Sequence, residues 1–366
     1  MFLESIFLYN FRNYDEQEIS FSRGKNLVLG DNGAGKSNLL EAVYVLSTSK
    51  SFRQAADSKL TRWGCEGYHV KGMFSSSRGR YAIDIVVQKD RKRLLINGTQ
   101  EDRISNIIGY VYCVVFYFDD ILLVTGPPRV KRAYLDIILS TVDPLYFDNL
   151  RRYLTVVKQK SCYLRDAVRV DRELLLSWNE QLVQSGGYIV DKRYGLVEFI
   201  NNFLEGRVRD VYITEPLFSL SYRTKVSNGE GRQSVDSIRK SFAEKLEGYR
   251  ERETRFAQCL VGPHRDDLSF MDETHDVRYF GSIGEARLSA IFLKLAQAYF
   301  YTSEKGIVPI LLMDDILLEL DRRNMEMVIE LLDKESQTFI TTTERAKLPE
   351  ILSYDTVFHI DNGKIG

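Results

Sequence analysis

Eight consecutive residues, Gly30-Asp31-Asn32-Gly33-Ala34-Gly35-Lys36-Ser37, satisfy the pattern G-x-x-x-x-G-K-[ST]. The chemistry open to such a segment is triphosphate binding. Glycines let the backbone curl so that successive N–H groups face a β-phosphate, Lys36 brings a charge to the β- and γ-phosphates, and Ser37 offers a hydroxyl to Mg²⁺. Gly30 to Asn38 is therefore the expected nucleotide-binding segment, with ATP and Mg²⁺ as the expected cofactors. A loop of this kind needs an acid at the end of a neighbouring buried strand, to hold the metal and place water. Ile310-Leu311-Leu312-Met313-Asp314-Asp315 provides it. Gly281-Ser282-Ile283-Gly284-Glu285 then precedes Leu288, Ile291, Phe292, Leu295 and Tyr299, which recur on one helical face. That spacing puts Ser282 and Gly284 at a helix N-terminus, where free N–H groups and the helix dipole favour an anion.

The elements that must position these residues follow from periodicity. Asn26 to Leu29 predicts a buried strand running into the loop, and Leu39, Leu40, Val43 and Leu46 predict a helix after it. The first thirty residues predict a β-meander. Tyr81 to Gln88 and Arg93 to Thr99, with Asn97-Gly98, predict antiparallel strands joined by a tight turn, in a strand-rich lobe. From Lys131 to about Glu205 the pattern is helical, with breaks expected near Asp143-Pro144 and Ser185-Gly186-Gly187, and Thr224 to Ser234 is expected to be an exposed loop. Lys36 and Asp314 lie 278 positions apart, too long an excursion for a compact nucleotide-binding core. A domain is therefore expected between them: residues 1–130 and 260–366 form an α/β head with its β-rich lobe, and 131–259 a mainly helical insertion.

Composition sets the outer limits. With 44% hydrophobic residues the chain can bury a large core, and no apolar run approaches the roughly 18 residues of a membrane span. Met1-Phe2-Leu3-Glu4 has no basic, apolar leader, so a cytoplasmic location without a membrane partner is expected. Cys65, Cys113, Cys162 and Cys259 form no CxxC pair, which argues against zinc and against a disulfide framework. Fifty basic and fifty-one acidic side chains leave a net charge of -1, so any nucleic-acid site must be a local patch.

A P-loop, an S-x-G helix start and an apolar strand ending in two acids resemble the ABC-class ATPases, whose head is an α/β P-loop fold. Leu8-Tyr9-Asn10-Phe11-Arg12-Asn13-Tyr14, Gly126 to Asp136, Gly262-Pro263-His264-Arg265-Asp266-Asp267-Leu268 and Glu319-Leu320-Asp321 resemble the RecF family in particular. The resemblance implies that Arg12 and Asn13 approach the nucleotide, that Asp314 holds Mg²⁺ through water, and that Asp315 is the catalytic base beside Lys36. It implies that Ser282 and Gly284 of one subunit close on the ATP of another, giving an ATP-dependent homodimer. Asp119 falls near the loop that senses the γ-phosphate in ABC proteins. Four positions depart from the family pattern: Glu285 replaces a Gln, Phe118 a Pro, Lys131 an Arg, and Leu318 a small residue.

The same resemblance implies a slow, DNA-stimulated ATPase of recombinational repair and replication-gap processing, with RecO and RecR as partners. Two segments are locally basic: Arg78 to Arg93 carries six basic and two acidic residues, and Arg129 to Arg172 ten and five. Arg151, Arg152 and Lys158 are the expected DNA contacts, to phosphates and without base preference, on a duplex, gap or junction. His264 is expected to make a structural hydrogen bond near the helix beginning at Ser282. The competing classes are a scaffold that binds ATP without hydrolysing it, a transport ATPase subunit, and an SMC-type repair ATPase. The last two need, respectively, closely spaced motifs with a membrane partner and hundreds of coiled-coil residues.

Overall fold

The computed structural model describes residues 1–77, 79–89, 91–167, 170–211, 218–227, 231–272 and 275–366. The chain opens with antiparallel strands β1 (Phe2–Phe11) and β2 (Tyr14–Ser20), then β3 (Lys25–Leu29), which leads into helix α1 (Lys36–Thr48). Strands β4 (Gly67–Ser76), β5 (Gly79–Gln88) and β6 (Arg91–Ile96) follow, then β7 (Cys113–Phe116). Helices α2 (Pro128–Val142), α3 (Pro144–Asp166) and α4 (Arg172–Phe203) come next, with β8 (Phe218–Arg223), α5 (Val235–Phe256) and β9 (Asp267–Asp272). The chain ends with α6 (Ile283–Lys305), β10 (Ile310–Met313), α7 (Arg322–Leu331), β11 (Thr338–Thr342) and β12 (Thr356–Asp361). None of the helices is long and apolar enough to cross a membrane, among the described residues.

Two compact units result, Met1–Asp120 with Ile291–Gly366, and Ile121–Ala290. The divisions fall at 120 and 290, outside the 131–259 span expected from sequence texture. The physical reason is pairing: β9 lies past residue 259 yet is hydrogen-bonded antiparallel to β8, Leu268 opposite Tyr222.

In the first unit a parallel sheet runs in the order β12-β3-β11-β10-β7, and an antiparallel sheet in the order β2-β1-β4-β5-β6. The head is thus an ABC-type α/β fold built from both ends of the chain. Helix α1 touches strands of both sheets. Its Leu39, Leu40, Val43, Val45 and Leu46 are fully buried with Ile6 and Leu8 of β1, Val70 of β4, Val115 of β7 and Leu312 of β10. Each such side chain contributes about 1.5–3 kcal/mol by leaving water, so the phosphate loop is mounted on a rigid helix. One expectation is corrected here. β3 and β10 are not neighbours, because β11 lies between them, with Ile340 opposite both Leu27 and Met313. The lobe behaves as its alternation predicts, and Asn97 and Gly98 both adopt positive φ, 50° and 79°, as a tight hairpin turn demands.

In the second unit Asp143 caps α3 through the Leu145 and Tyr146 N–H groups, which makes the break expected at Asp143-Pro144. No break exists at Ser185-Gly186-Gly187, since α4 is continuous there. A Cβ on Gly186 would lie 2.6 Å from the Phe242 ring and one on Gly187 2.6 Å from Arg239 Cγ, so the glycines admit α5 rather than end the helix. Residues 228–230 of the expected Thr224–Ser234 loop lie outside the described set, as does Arg78 of the first basic segment. The four cysteines are free thiols.

His264 is structural, as expected, but its partners are not at the Ser282 helix. Its Nδ1 lies 2.6 Å from the Tyr153 hydroxyl and its Nε2 3.2 Å from the Cys259 carbonyl oxygen, so Nε2 carries the proton and Nδ1 accepts. Burial pushes its pKa down to about 4. A histidine depressed in the folded state contributes stability above its ordinary pKa of about 6.5 that is lost as pH falls towards 4, at most about 3 kcal/mol. Wild type should accordingly lose up to that much more unfolding free energy between pH 7 and pH 4 than His264→Gln. Parallel denaturant titrations measure the difference, and equal losses would mean that His264 does not titrate in this window.

Candidate nucleotide site

The residues from Gly30 to Asn38 join β3 to α1. Gly35 has φ 125°, closed to a side chain, and a Cβ there would lie 2.7 Å from Asn13 Nδ2. The loop carbonyls are tied down. The Asn13 side-chain amide donates to Ala34 O at 2.8 Å, the Gly363 N–H to the same oxygen at 2.9 Å, and the Tyr14 hydroxyl to Gly35 O at 2.9 Å. Asn38 Nδ2 donates in turn to Asn13 Oδ1 at 2.9 Å. Asp31, Asn32 and Gly33 remain exposed.

Lys36 is not an exposed loop charge. It is 4% exposed, and its ammonium donates to Gly30 O at 2.9 Å and Asp31 O at 3.2 Å. Arg12 engages α1 rather than the loop: Nε and Nη2 donate to the two oxygens of buried Glu41 at 2.7 and 2.8 Å, and Nη1 to Lys59 O. Of the residue pair expected near the nucleotide, Asn13 therefore contacts the loop directly, whereas Arg12 orients the helix behind it.

Ser37 and Asp314 stand together, the serine side chain close enough to favour the ionised carboxylate. Burial raises the Asp314 pKa, opposed by Ser37 and by Arg53, whose Nη2 stands 3.6 Å from Asp314 Oδ2. A buried carboxylate beside a hydroxyl is a hard-oxygen donor set that fits Mg²⁺, which takes one or two protein ligands and completes its shell with phosphate and water. When bound, the ion would be held by Ser37 and Asp314 and would neutralise charge between the β- and γ-phosphates. Asp315 follows in a left-handed conformation, φ 53°. Its N–H donates to Thr341 Oγ1 at 2.8 Å, and that hydroxyl lies 3.2 Å from Asp314 Oδ1 and 3.3 Å from Asp315 Oδ1.

Three participants here lacked a clear sequence signal. Arg53 sits in an irregular segment after α1 and also donates to Asn38 Oδ1 at 3.2 Å. Thr341 is one threonine among three. Asp120, next to the expected Asp119, is buried against Lys294 at 3.0 Å and accepts the Tyr117 N–H at 2.9 Å, while Asp119 is exposed. Burial raises the Asp120 pKa to about 6 against the pull of Lys294.

Ser282 and Gly284 belong to the second unit, exposed at the start of α6. The Ser282 N–H donates to Glu285 Oε2 at 2.7 Å and the Glu285 N–H to Ser282 Oγ at 3.2 Å. This reciprocal pair is a capping box, legible in the S-x-x-E spacing. Tyr279, Phe280 and Ile283 beside it are exposed. Arg151, Arg152 and Lys158 are exposed on α3, Arg151 in a loose pair with Asp148 at 3.4 Å.

Residues 2–365 match the family described as the RecF/RecN/SMC N terminal domain. The chain is 33% identical to the DNA replication and repair protein RecF of Streptococcus gordonii over 365 residues, covering all of both chains. It is 34% identical to RecF of Halothermothrix orenii, covering all of this chain and 98% of that one. The solved structure of the recombination mediator protein RecF with ATP, in the RecFOR pathway, superposes with a TM-score of 0.91 at 28% identity, over 100% of this chain and 97% of the other. An Smc head bound to the C-winged helix domain of ScpA, 18% identical with a TM-score of 0.55 over 100% and 96% of the chains, shares the fold.

Proposed function

This chain belongs to the RecF family of DNA replication and repair proteins, and from that premise we propose that it is an ATP-dependent, sequence-independent DNA-binding switch. The observation that carries the proposal is the meeting of Ser37 and Asp314 at a P-loop whose carbonyls are tied back by Asn13, Tyr14 and Gly363. ATP with Mg²⁺ is held there, two copies pair through ATP using Ser282 and Gly284, and the paired state grips duplex DNA at gaps or junctions. RecO and RecR are the partners that the RecFOR pathway of the related structure suggests. Hydrolysis, slow and stimulated by DNA, resets the switch.

In that reaction Asp315 takes the proton of the attacking water and Lys36 steadies the phosphates. Asparagine tolerates a left-handed backbone as aspartate does, so Asp315→Asn keeps the local fold and removes only the base. It is expected to retain ATP while turning over at least about a hundredfold more slowly, the lower range of a positioned general base. Unchanged turnover would remove Asp315 from this role. No turnover in the parent protein, with or without DNA, would favour a nucleotide-binding scaffold instead.

The DNA half of the proposal rests on phosphate contacts. Neutralising Arg151, Arg152 and Lys158 together should weaken every duplex alike and flatten the plot of log affinity against log salt by about 2.7, at about 0.9 per contact. Fluorescence anisotropy across salt concentrations measures both. A strong preference for one base sequence, or wild-type binding by the triple variant, would overturn this assignment.

A further inference from the structure

In the second unit a cleft of about 280 Å³ opens among α2, α3, α4 and the turn at Pro263. Arg129 and Arg132 enter it from the start of α2, Leu150 and Leu154 wall it from α3, and Ile189 and Arg193 from α4. The three arginines differ in their partners. Arg193 is buried and committed, to Asp136 at 2.8 Å, Asp266 at 3.3 Å, Pro263 O at 2.8 Å and the Tyr146 hydroxyl at 3.1 Å. Arg132 makes one hydrogen bond, to the Asp266 carbonyl at 2.6 Å, and Arg129 is exposed. Among the described residues no carboxylate forms an ion pair with either. Burial and the neighbouring Arg193 lower the Arg132 pKa, opposed by the more distant carboxylates of Asp266, Asp136 and Asp267, of which Asp136 also lines the cleft but is engaged by Arg193.

We infer that this cleft is a second oxyanion site of the chain, separate from the P-loop, and that it takes a phosphate monoester. Donor supply selects the ligand. A guanidinium presents five N–H groups in a planar fork, so Arg132 has four uncommitted and Arg129 five. Two carboxylate oxygens cannot use that supply, whereas the three terminal oxygens of a phosphate monoester can, in the bidentate geometry that arginine favours. A liquid water occupies about 30 Å³, so the cleft has room for the phosphate and the first atoms of its alcohol against Leu150, Leu154 and Ile189. The source expected under the proposed function is the terminal phosphate of a DNA strand, because α3 walls the cleft and also exposes Arg151, Arg152 and Lys158. That choice of source rests on the DNA assignment; the site itself does not. A free phosphate ester is the alternative source.

The test uses the full chain with its P-loop filled by a non-hydrolysable ATP analogue and Mg²⁺, and the exposed variant Arg129→Gln. Inorganic phosphate is titrated against the melting temperature, and hairpin DNA carrying a terminal phosphate or a terminal hydroxyl is compared by anisotropy. Phosphate should stabilise wild type and not the variant. The phosphorylated hairpin should bind wild type about tenfold more tightly than its hydroxyl counterpart, the effect of one charge-assisted hydrogen bond, and the ratio should fall to about one in Arg129→Gln. Stabilisation by phosphate that is lost in the variant, with a hairpin ratio of one, keeps the site and assigns it to a free phosphate ester. Such stabilisation without any hairpin binding keeps the site and rejects the DNA assignment. No stabilisation of wild type, or stabilisation that persists in Arg129→Gln, overturns the site.

Discussion

Lys36→Ala is expected to lower ATP affinity by at least about a hundredfold while the protein stays folded. The Lys36 ammonium holds the Gly30 and Asp31 carbonyls at 2.9 and 3.2 Å. Under the proposed function the ammonium turns from those carbonyls to the phosphates. Charge-assisted hydrogen bonds contribute about 1.5–3 kcal/mol each, so losing two to a triphosphate costs roughly 3 kcal/mol or more. The loop does not depend on Lys36 for its shape, because Asn13, Tyr14 and Gly363 hold its carbonyls and α1 is anchored by Leu39, Leu40 and Val43. The variant does lose a buried stem, so Lys36→Met, which keeps the apolar chain, should match the parent in melting temperature more closely while binding ATP equally poorly. Calorimetric titration beside melting curves measures both. Parent-like affinity in either variant would sink the nucleotide assignment.

What the sequence revealed and what it hid divide along a physical line. The loop, β3, α1 and β10 were legible because glycine spacing and hydrophobic period are local properties of the chain. The place of β11 between β3 and β10 was not, since strand order is set by packing between segments hundreds of residues apart. Gly186 and Gly187 read as a helix break because their use, admitting Phe242 and Arg239, appears only when α5 is in place. Arg12 illustrates the same limit: its place near the nucleotide was implied by the family resemblance, and its pairing with buried Glu41 of α1, set by packing, has no local signal. Arg53, Thr341 and Asp120 reach the site or its flank from an irregular segment, a strand end and a 3-10 turn. Nothing in their local spacing distinguishes them from other polar residues. The Ser282–Glu285 capping box is the exception, a local S-x-x-E pattern whose reciprocal bonds need only the first turn of α6.

That capping box changes what Glu285 is expected to do. In the single chain its carboxylate folds back onto the Ser282 N–H at 2.7 Å, so the helix start is already occupied by an anion of its own. For the Ser282–Gly284 segment to cover ATP on a second copy, the carboxylate must leave that N–H and then face a triphosphate. Two unit charges about 4 Å apart repel by about 4 kcal/mol at an effective dielectric of 20, and Mg²⁺, Lys36 and solvent reduce this. Even a third of that figure is about a tenfold effect on pairing. Glutamine completes a capping box as glutamate does, so Glu285→Gln keeps α6 capped while removing the charge. It is expected to strengthen ATP-dependent dimerisation about tenfold. Ser282→Arg, which replaces the small hydroxyl with a bulky side chain, should abolish pairing and leave ATP binding by the monomer nearly intact, since every residue placed here around the phosphates belongs to the other unit. Sedimentation of parent and variants with a non-hydrolysable ATP analogue decides between outcomes. Parent-like pairing by Glu285→Gln would mean that Glu285 stays folded back on Ser282 in the dimer or that copies do not join through ATP. Parent-like pairing by Ser282→Arg would leave only the second.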